Sequence, residues 1–179
     1  MAAVLIVAPS WVGDMVMAQS LFKVLKAQDE ERAIDVLAPG WTRALLERMP
    51  EVRQAIDMPL GHGEVKLLTR RRLGIALRAG HYQQVIVLPN SLKSALVPFW
   101  ARIPLRSGYV GEMRQWLLND CRRLDKQRLL MTVQRFIALA LPVELARIGQ
   151  QPLAHLADKA GTFRNTRPVG HQCRFEGIR

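Results

Sequence analysis

The first part of the chain alternates between short apolar runs and longer stretches with helical spacing of apolar residues. Residues 3–8, AVLIVA, are continuously apolar and rich in β-branched side chains, which is typical of a strand buried on both faces. In residues 14–27 the apolar residues recur every three or four positions, which predicts a helix. The chain therefore begins with a predicted strand followed by a predicted helix.

The same alternation continues along the chain. Further strands are predicted at 33–38 (AIDVLA), 52–59 (VRQAIDMP), 83–89 (QQVIVLP) and, weakly, 106–112 (RSGYVGE). Helices are predicted within 39–50, ending before Pro50, within 61–80 after a loop, within 90–104, and at 126–141. Strands that alternate with helices indicate parallel βαβ units. We therefore predict an α/β fold, a Rossmann-like parallel sheet flanked by helices, with a ligand site at the carboxyl ends of the strands.

The pattern changes near residue 145. Residues 1–144 are predicted to form the Rossmann-like domain, whereas residues 145–179 show neither period and are expected to be an irregular basic tail. A frameshifted end and a divergent or disordered terminus both fit this abrupt change. Among the large side chains before it, Phe99, Trp100, Trp116 and Phe136 are predicted to pack in or at the edge of the core.

Composition indicates a globular protein with an anionic partner. Apolar residues make up 49% of the chain and charged residues 23%, so a real core can form. The net charge of +11 fits nucleic acid, an anionic membrane surface or a phosphorylated substrate, although a merely basic surface would look the same. The two cysteines form neither a metal-spaced pair nor a disulfide framework, which favours a reducing compartment. The N-terminal apolar run is too short to span a bilayer, so we expect a cytoplasmic protein whose membrane contact is peripheral.

One acid stands where the first strand passes into the first helix, in APSWVGDMVMAQSL (8–21). Residues at such a junction face the ligand crevice of a βαβ unit, and Gly13 lets the backbone turn or approach a ligand closely. Asp14 has two interpretations: an N-cap worth about 1 kcal/mol, which spacing alone favours, or a general base in the crevice. The stretch is neither a GxGxxG motif nor a Walker motif, so no dinucleotide or P-loop site is predicted.

Several segments together resemble a known family. VLIVAPSWVGDMVMAQSL, APGWTRALLERMPEV, MPLGHGEVKL, RRRLG, VLPNSLKSALVPFWARIPLRSGYVGEMR, LLND and LDK, in this order, resemble the N-terminal half of the ADP-heptose:lipopolysaccharide heptosyltransferase II family. The resemblance covers roughly residues 3–141. It implies the N-terminal domain of a GT-B glycosyltransferase, in which two Rossmann-like domains enclose the active site. It also implies inverting transfer of heptose from ADP-heptose to the inner core of lipopolysaccharide, with no cofactor and no obligatory metal.

The resemblance also implies roles around the opening stretch. Asp14 matches the family acid proposed to deprotonate the acceptor hydroxyl, and a sugar hydroxyl does need a base before it attacks. Ser10 and Gly13 are expected to lie near the donor, although the family holds the nucleotide mostly on its C-terminal domain. No counterpart of that donor domain is expected in this chain, so we expect this half to be inactive by itself.

Basic residues form the predicted acceptor site. Arg70, Arg71 and Arg72 would fan over about 200° of a helix, so not all can face one ligand. A charge run is commonly a solvated face, but guanidinium groups suit phosphates and carboxylates, and the resemblance favours the acceptor. Asn90 and Ser91 can cap the next helix, while Lys93 in its first turn opposes the helix dipole, which indicates a ligand role.

Further acceptor contacts are expected from two other segments. Arg114, in GEMR beside Glu112, is expected to border the acceptor cleft, and the loop residue His62 is a weaker candidate. The predicted acceptor is heptosyl-Kdo2-lipid A at the cytoplasmic face of the inner membrane. The alternative function is a non-catalytic module that binds anionic glycolipid or a partner protein. No aromatic-basic, helix-turn-helix or zinc pattern supports nucleic-acid binding, which we do not expect.

Overall fold

Six parallel strands form one sheet in residues 3–60 and 65–141, the part of the chain that the computed structural model describes. The strands are β1 (Ala3–Val7), β2 (Ala33–Ala38), β3 (Gln54–Asp57), β4 (Gln84–Val87), β5 (Leu105–Tyr109) and β6 (Asp120–Arg122). Their order in the sheet is β3-β2-β1-β4-β5-β6, and each neighbouring pair is parallel. The predicted Rossmann-like α/β fold is therefore confirmed.

Helices connect the strands and cover both faces of the sheet. They are α1 (Val12–Gln28), α2 (Arg43–Leu46), α3 (Leu67–Ala76), α4 (Leu92–Trp100) and α5 (Thr132–Ala140). Short 3₁₀ turns lie at Gly40–Thr42, Leu77–Gly80 and Arg114–Trp116. None of the helices in the described residues is long and apolar enough to cross a membrane.

The central strand β1 divides the core into two layers. Its alternate residues Val4 and Ile6 pack in the layer that includes α1 and α5, whereas Leu5 and Val7 pack in the layer that includes α4. All five β1 residues are buried, as the continuous apolar run predicts for a strand covered on both faces.

The structure corrects several predicted elements. Helix α5 begins at Thr132 rather than at 126, because the Asp125 carboxylate accepts the N–H groups of Gln127 and Arg128 in a separate turn. Strand β6 was not predicted, since three half-buried residues carry too little pattern. Trp116 is 73% exposed, so its assignment to the core was wrong. The predicted boundary at residue 144 and the tail 145–179 lie outside the described residues.

A buried polar cluster links β2 to the residue before β3 and to the loop before β4. Asp35 lies in β2 with only 1% exposure, and its carboxylate accepts two hydrogen bonds from Arg53, at 2.8 and 2.6 Å. The hydroxyl of Tyr82 donates a third, at 2.6 Å, to the same carboxylate. A buried charge is tolerated only when it is paired and hydrogen-bonded, and here the three hydrogen bonds come from two protein side chains. The cluster therefore joins the entry of β4 to β2 and the start of β3.

Both tyrosines of the chain are expected to resist ionisation in the folded protein. Burial, and then the hydrogen bond to Asp35, raises the pKa of Tyr82. Burial raises the pKa of Tyr109 to about 12. Unfolded tyrosines ionise near pH 10, so the stability that these neutral hydroxyls contribute is present below about pH 10 and lost as the pH rises toward 12.

Ultraviolet titration of the folded protein should show a delayed, cooperative rise of the tyrosinate absorbance. A denatured sample is the control, and ordinary titration of either folded tyrosine would contradict the packing described.

Candidate functional site

The candidate site lies where the strand order reverses. β1 and β4 are neighbours in the sheet, but the strands that follow each of them continue in opposite directions. The loops that leave their carboxyl ends, residues 8–11 and 88–91, therefore diverge, and such a switch point is where open parallel sheets form a ligand crevice.

Asp14 is an unpaired acid in the first turn of α1. The N-cap of α1 is Trp11, whose side chain makes no cap hydrogen bond, so Asp14 is the third helical residue. The N-cap interpretation of Asp14 was therefore wrong. The side chain is half-buried, and no hydrogen bond or ion pair joins its carboxylate to any described residue. The carboxylate can thus accept a proton or a hydrogen bond from a ligand without first breaking an internal contact.

Two exposed tryptophans border this stretch. Trp11 is 71% exposed and Trp41, which follows β2, is 59% exposed. The indole of Trp41 donates a hydrogen bond of 3.4 Å to the carbonyl of Ser10, which links the loops after β1 and β2. A Cβ added to Gly13 would meet nothing within 4 Å, so the backbone there is open to approach.

The start of α4 is capped differently from the sequence prediction. Ser91 occupies the N-cap position without a side-chain cap bond, and the N–H of Leu92 donates instead to the carboxylate of Glu112 at 2.9 Å. Asn90 accepts a hydrogen bond from Arg114 at 3.2 Å rather than capping the helix. Ser91 therefore takes the predicted N-cap position without the predicted side-chain bond, and Asn90 does not cap the helix, because a loop distant in sequence supplies the acceptor.

Lys93 lies in the first turn of α4, as predicted. Its side chain is half-buried, and within residues 3–60 and 65–141 its ammonium group makes no hydrogen bond or ion pair. A cation there gains nothing from the helix dipole, and its predicted contact with a ligand stays a prediction.

Arg114 is fully buried beneath the loops after β4 and β5. Its guanidinium donates to the carbonyl of Tyr109 through Nε (2.9 Å) and Nη2 (2.6 Å), to the carbonyl of Pro89, and to the Ser94 hydroxyl at 3.2 Å. Burial lowers the pKa of Arg114 to about 10. The guanidinium thus joins the two loops that frame the site, a role that the sequence analysis did not anticipate. Its predicted contact with the acceptor stays a prediction.

The three consecutive arginines point to three environments. Arg70 is 5% exposed and donates to the carbonyls of Val65 and Lys93, at 2.7 and 3.2 Å, so it joins the start of α3 to the start of α4. Arg71 and Arg72 are exposed. Arg71 lines a cleft between α3 and α4, away from the carboxyl ends of the strands. The three side chains therefore point in different directions around the helix, as predicted. Arg72 is exposed and is the one of the three for which no contact is described.

The loop after β5 contains local backbone strain that the sequence analysis missed. Glu112 and Met113 have φ values of 29° and 52°, a region that residues other than glycine rarely adopt. Consecutive strained residues persist where surrounding contacts fix their backbone, here the Glu112 cap of α4 and the Arg114 hydrogen bonds.

His62, a weaker acceptor candidate, lies outside the described residues. Among those that are described, no three histidine, cysteine or acidic side chains gather as a metal site would require.

These features define the class of the protein as a Rossmann-like α/β domain. At the switch point of its sheet lie an unpaired acid, two exposed tryptophans and a lysine. The family model "Glycosyltransferase family 9 (heptosyltransferase)" matches residues 70–165, which extends beyond residue 141, where the family-like segments of the sequence end. The chain belongs to glycosyltransferase family 9.

Curated relatives agree with that family. Lipopolysaccharide heptosyltransferase 2 of Escherichia coli is 54% identical over 153 residues, which are 84% of this chain and 44% of the relative. Lipooligosaccharide heptosyltransferase 2 of Haemophilus influenzae is 57% identical over 137 residues, 76% of this chain and 39% of the relative. The chain thus spans less than half the length of these relatives.

Solved structures give the same result for the fold. ADP-heptose lps heptosyltransferase II of Escherichia coli is 50% identical, with a TM-score of 0.74 over 86% of this chain and 45% of that chain. A family 9 glycosyl transferase of Veillonella parvula, 14% identical, has a TM-score of 0.69 over 84% of this chain and 42% of that chain. The second likeness, at such low identity, concerns the fold alone.

Replacing Arg114 by Met should destabilise the fold. The substitution removes the guanidinium donors from the carbonyls of Tyr109 and Pro89, of which Pro89 keeps the Ser94 hydroxyl at 3.1 Å. Each buried acceptor left unsatisfied costs about 1–3 kcal/mol. Denaturant unfolding of R114M should therefore give a free energy of unfolding lower by roughly 2 kcal/mol or more. The control is Arg123→Met, which removes an exposed arginine. Equal stability of the two variants would contradict the structural role of Arg114.

Proposed function

We propose that this chain is the acceptor-binding half of an ADP-heptose:lipopolysaccharide heptosyltransferase of the GT-B type. The observation that carries the proposal is the half-buried, unpaired carboxylate of Asp14 at the switch point of a family 9 fold. The acceptor is the lipopolysaccharide inner core in the form of heptosyl-Kdo2-lipid A, and the donor is ADP-heptose. The chain acts in the cytoplasm against the inner membrane.

In the proposed reaction, Asp14 is the base. Its carboxylate accepts the proton of the acceptor hydroxyl as that oxygen attacks the anomeric carbon of heptose. The bond between that carbon and the β-phosphate oxygen of ADP breaks, the configuration inverts, and ADP leaves as the anion. A carboxylate with no internal partner is suited to this step, since it loses no protein contact when it takes the proton. No metal or cofactor enters the mechanism.

Different residues serve the two substrates in this proposal. Lys93 and Arg72 attract the anionic groups of the inner core, because neither has a described partner that neutralises it. Arg70, Asn90 and Arg114 serve the acceptor indirectly, by fixing the loops from which these cations extend. Arg71 is at most a marginal acceptor contact in this proposal, because it lines the α3–α4 cleft away from the carboxyl ends of the strands. Gly13, where an added Cβ would meet nothing within 4 Å, leaves open backbone for the donor sugar, and Ser10 lies in the adjoining loop.

Asp14→Asn is the first test of the proposal. In a protein that carries these residues together with a donor half, loss of the base should lower kcat by about 10²–10⁴-fold. KM for the acceptor should change little, because the amide is nearly isosteric. Steady-state transfer from ADP-heptose to heptosyl-Kdo2-lipid A is the measurement.

The matched control for that test is Glu47→Gln, which removes an exposed carboxylate in the turn after α2. Activity of D14N within a few-fold of the parent would remove Asp14 from the chemistry. Loss of activity in both variants would indicate a general charge effect instead of a base.

A polypeptide of these 179 residues alone should bind the acceptor yet turn over far more slowly than a full-length relative. Calorimetric titration with heptosyl-Kdo2-lipid A should show binding that weakens about tenfold in Lys93→Ala, since a charge-assisted contact is lost. Asp14→Asn should bind normally, which separates binding from catalysis. Turnover equal to that of a full-length enzyme, or unchanged affinity of K93A, would contradict the division of roles.

A further inference from the structure

A basic cleft separate from the candidate site lies between α3 and α4. It is at the amino ends of the strands, whereas Asp14 is at their carboxyl ends. Its volume is about 560 Å³. It is lined by α3 from Arg71 onward, by the end of α4, by the residues that follow each helix, and by Arg106 at the start of β5. It therefore opens toward the amino ends of the strands. The helices approach closely beside it: a Cβ on Gly74 would come within 2.7 Å of the Trp100 side chain and of the Val97 carbonyl.

Four arginines line this cleft: Arg71, Arg78, Arg102 and Arg106. No acid is among the lining residues, and none of the four makes an ion pair with a carboxylate in the described part of the chain. Arg78 donates to the carbonyl of Trp100 at 3.0 and 2.9 Å, and Arg106 donates to the carbonyls of Leu117 and Ile103 at 2.6 Å each. Uncompensated positive charges concentrated in a partly enclosed cleft attract anions.

Two of these guanidinium groups are hydrogen-bonded to backbone carbonyls, and two are without such a bond. Arg78 and Arg106 are fixed by backbone carbonyls, and each retains one terminal nitrogen with no acceptor among the described residues. The guanidinium groups of Arg71 and Arg102 have no hydrogen-bond partner among the described residues. Preorganised donors beside free ones form the arrangement that phosphate oxygens require.

The end of α4 places Arg102 where its side chain lines the cleft. Arg102 follows the C-cap of α4 with φ of 57°, the left-handed position that helix ends usually give to glycine. An arginine there costs about 1 kcal/mol relative to glycine. The structure carries that strain at the residue that extends a free guanidinium into the cleft.

The geometry points to a binding site for a phosphate group in the α3–α4 cleft. Ile75 and Phe99, which are 42% and 44% exposed, form an apolar wall beside the arginines, so a phosphate that carries an apolar moiety fits better than a free ion. The phosphate can come from a lipid headgroup or from a soluble compound. The site goes beyond the proposed transfer reaction, since it excludes Asp14 and Lys93 and shares with the predicted acceptor residues only Arg71.

The test uses the full 179-residue chain and the indole N–H signals of its four tryptophans. Pyrophosphate is the soluble probe, and vesicles of phosphatidylglycerol in phosphatidylcholine are the lipid probe, with pure phosphatidylcholine as reference. Pyrophosphate should move the NMR signal of Trp100 and leave those of Trp11 and Trp41 in place. Arg102→Gly should weaken binding about tenfold without loss of stability, because glycine relieves the positive φ. Arg48→Ala, which removes an exposed arginine outside the cleft, is the control.

Each outcome decides the proposal. Pyrophosphate binding that R102G weakens and R48A does not supports the site with a soluble ligand. Binding to anionic vesicles alone, with the same dependence on Arg102, supports it with a lipid headgroup. Absence of binding to both probes, movement of the Trp11 or Trp41 signals instead of Trp100, or equal weakening by R102G and R48A would overturn it.

Discussion

The reversal of strand order between β1 and β4 is the constraint on which the candidate site depends. Because β2 and β3 continue on one side and β5 and β6 on the other, the loops after the two central strands diverge around a crevice. The chain places Asp14 in the first helical turn on one side of that crevice and Lys93 in the first turn on the other. An acid and a cation that are distant in sequence thus lie at the same end of the parallel strands.

Buried guanidinium groups hold this edge in shape. Arg114 joins the loops after β4 and β5 through carbonyl contacts, and Arg70 joins α3 to the backbone of Lys93. A fully satisfied polar network in a low-dielectric interior is rigid, because any displacement leaves a buried group unpaired. The basic residues therefore occur in three settings: buried arginines that join the loops of the site, cations such as Lys93 without a described partner, and a separate cluster between α3 and α4. Net charge alone does not distinguish them.

Local pattern was sufficient for most of the fold and for the position of Asp14. The apolar runs predicted β1, β2 and β4. The passage from strand to helix near Gly13 predicted that the acid lies beside the crevice. Both predictions depend only on residues that are adjacent in sequence. The late start of α5, the short strand β6, the Glu112 cap of α4 and the burial of Arg114 escaped prediction. Each of the last two depends on a partner from another loop, and a single sequence contains no signal for such a contact. Arg114 differs from Arg72 in its neighbours, not in its residue type.

The most direct measurement is a crystal structure of the acceptor heptosyl-Kdo2-lipid A bound to a protein that contains these residues. The account predicts the accepting sugar hydroxyl about 2.6–3.2 Å from the Asp14 carboxylate. It also predicts acidic groups of the acceptor beside Lys93, with the Arg114 guanidinium still on the carbonyls of Pro89 and Tyr109. An acceptor bound away from the β1–β4 crevice, with Asp14 facing solvent, would contradict it.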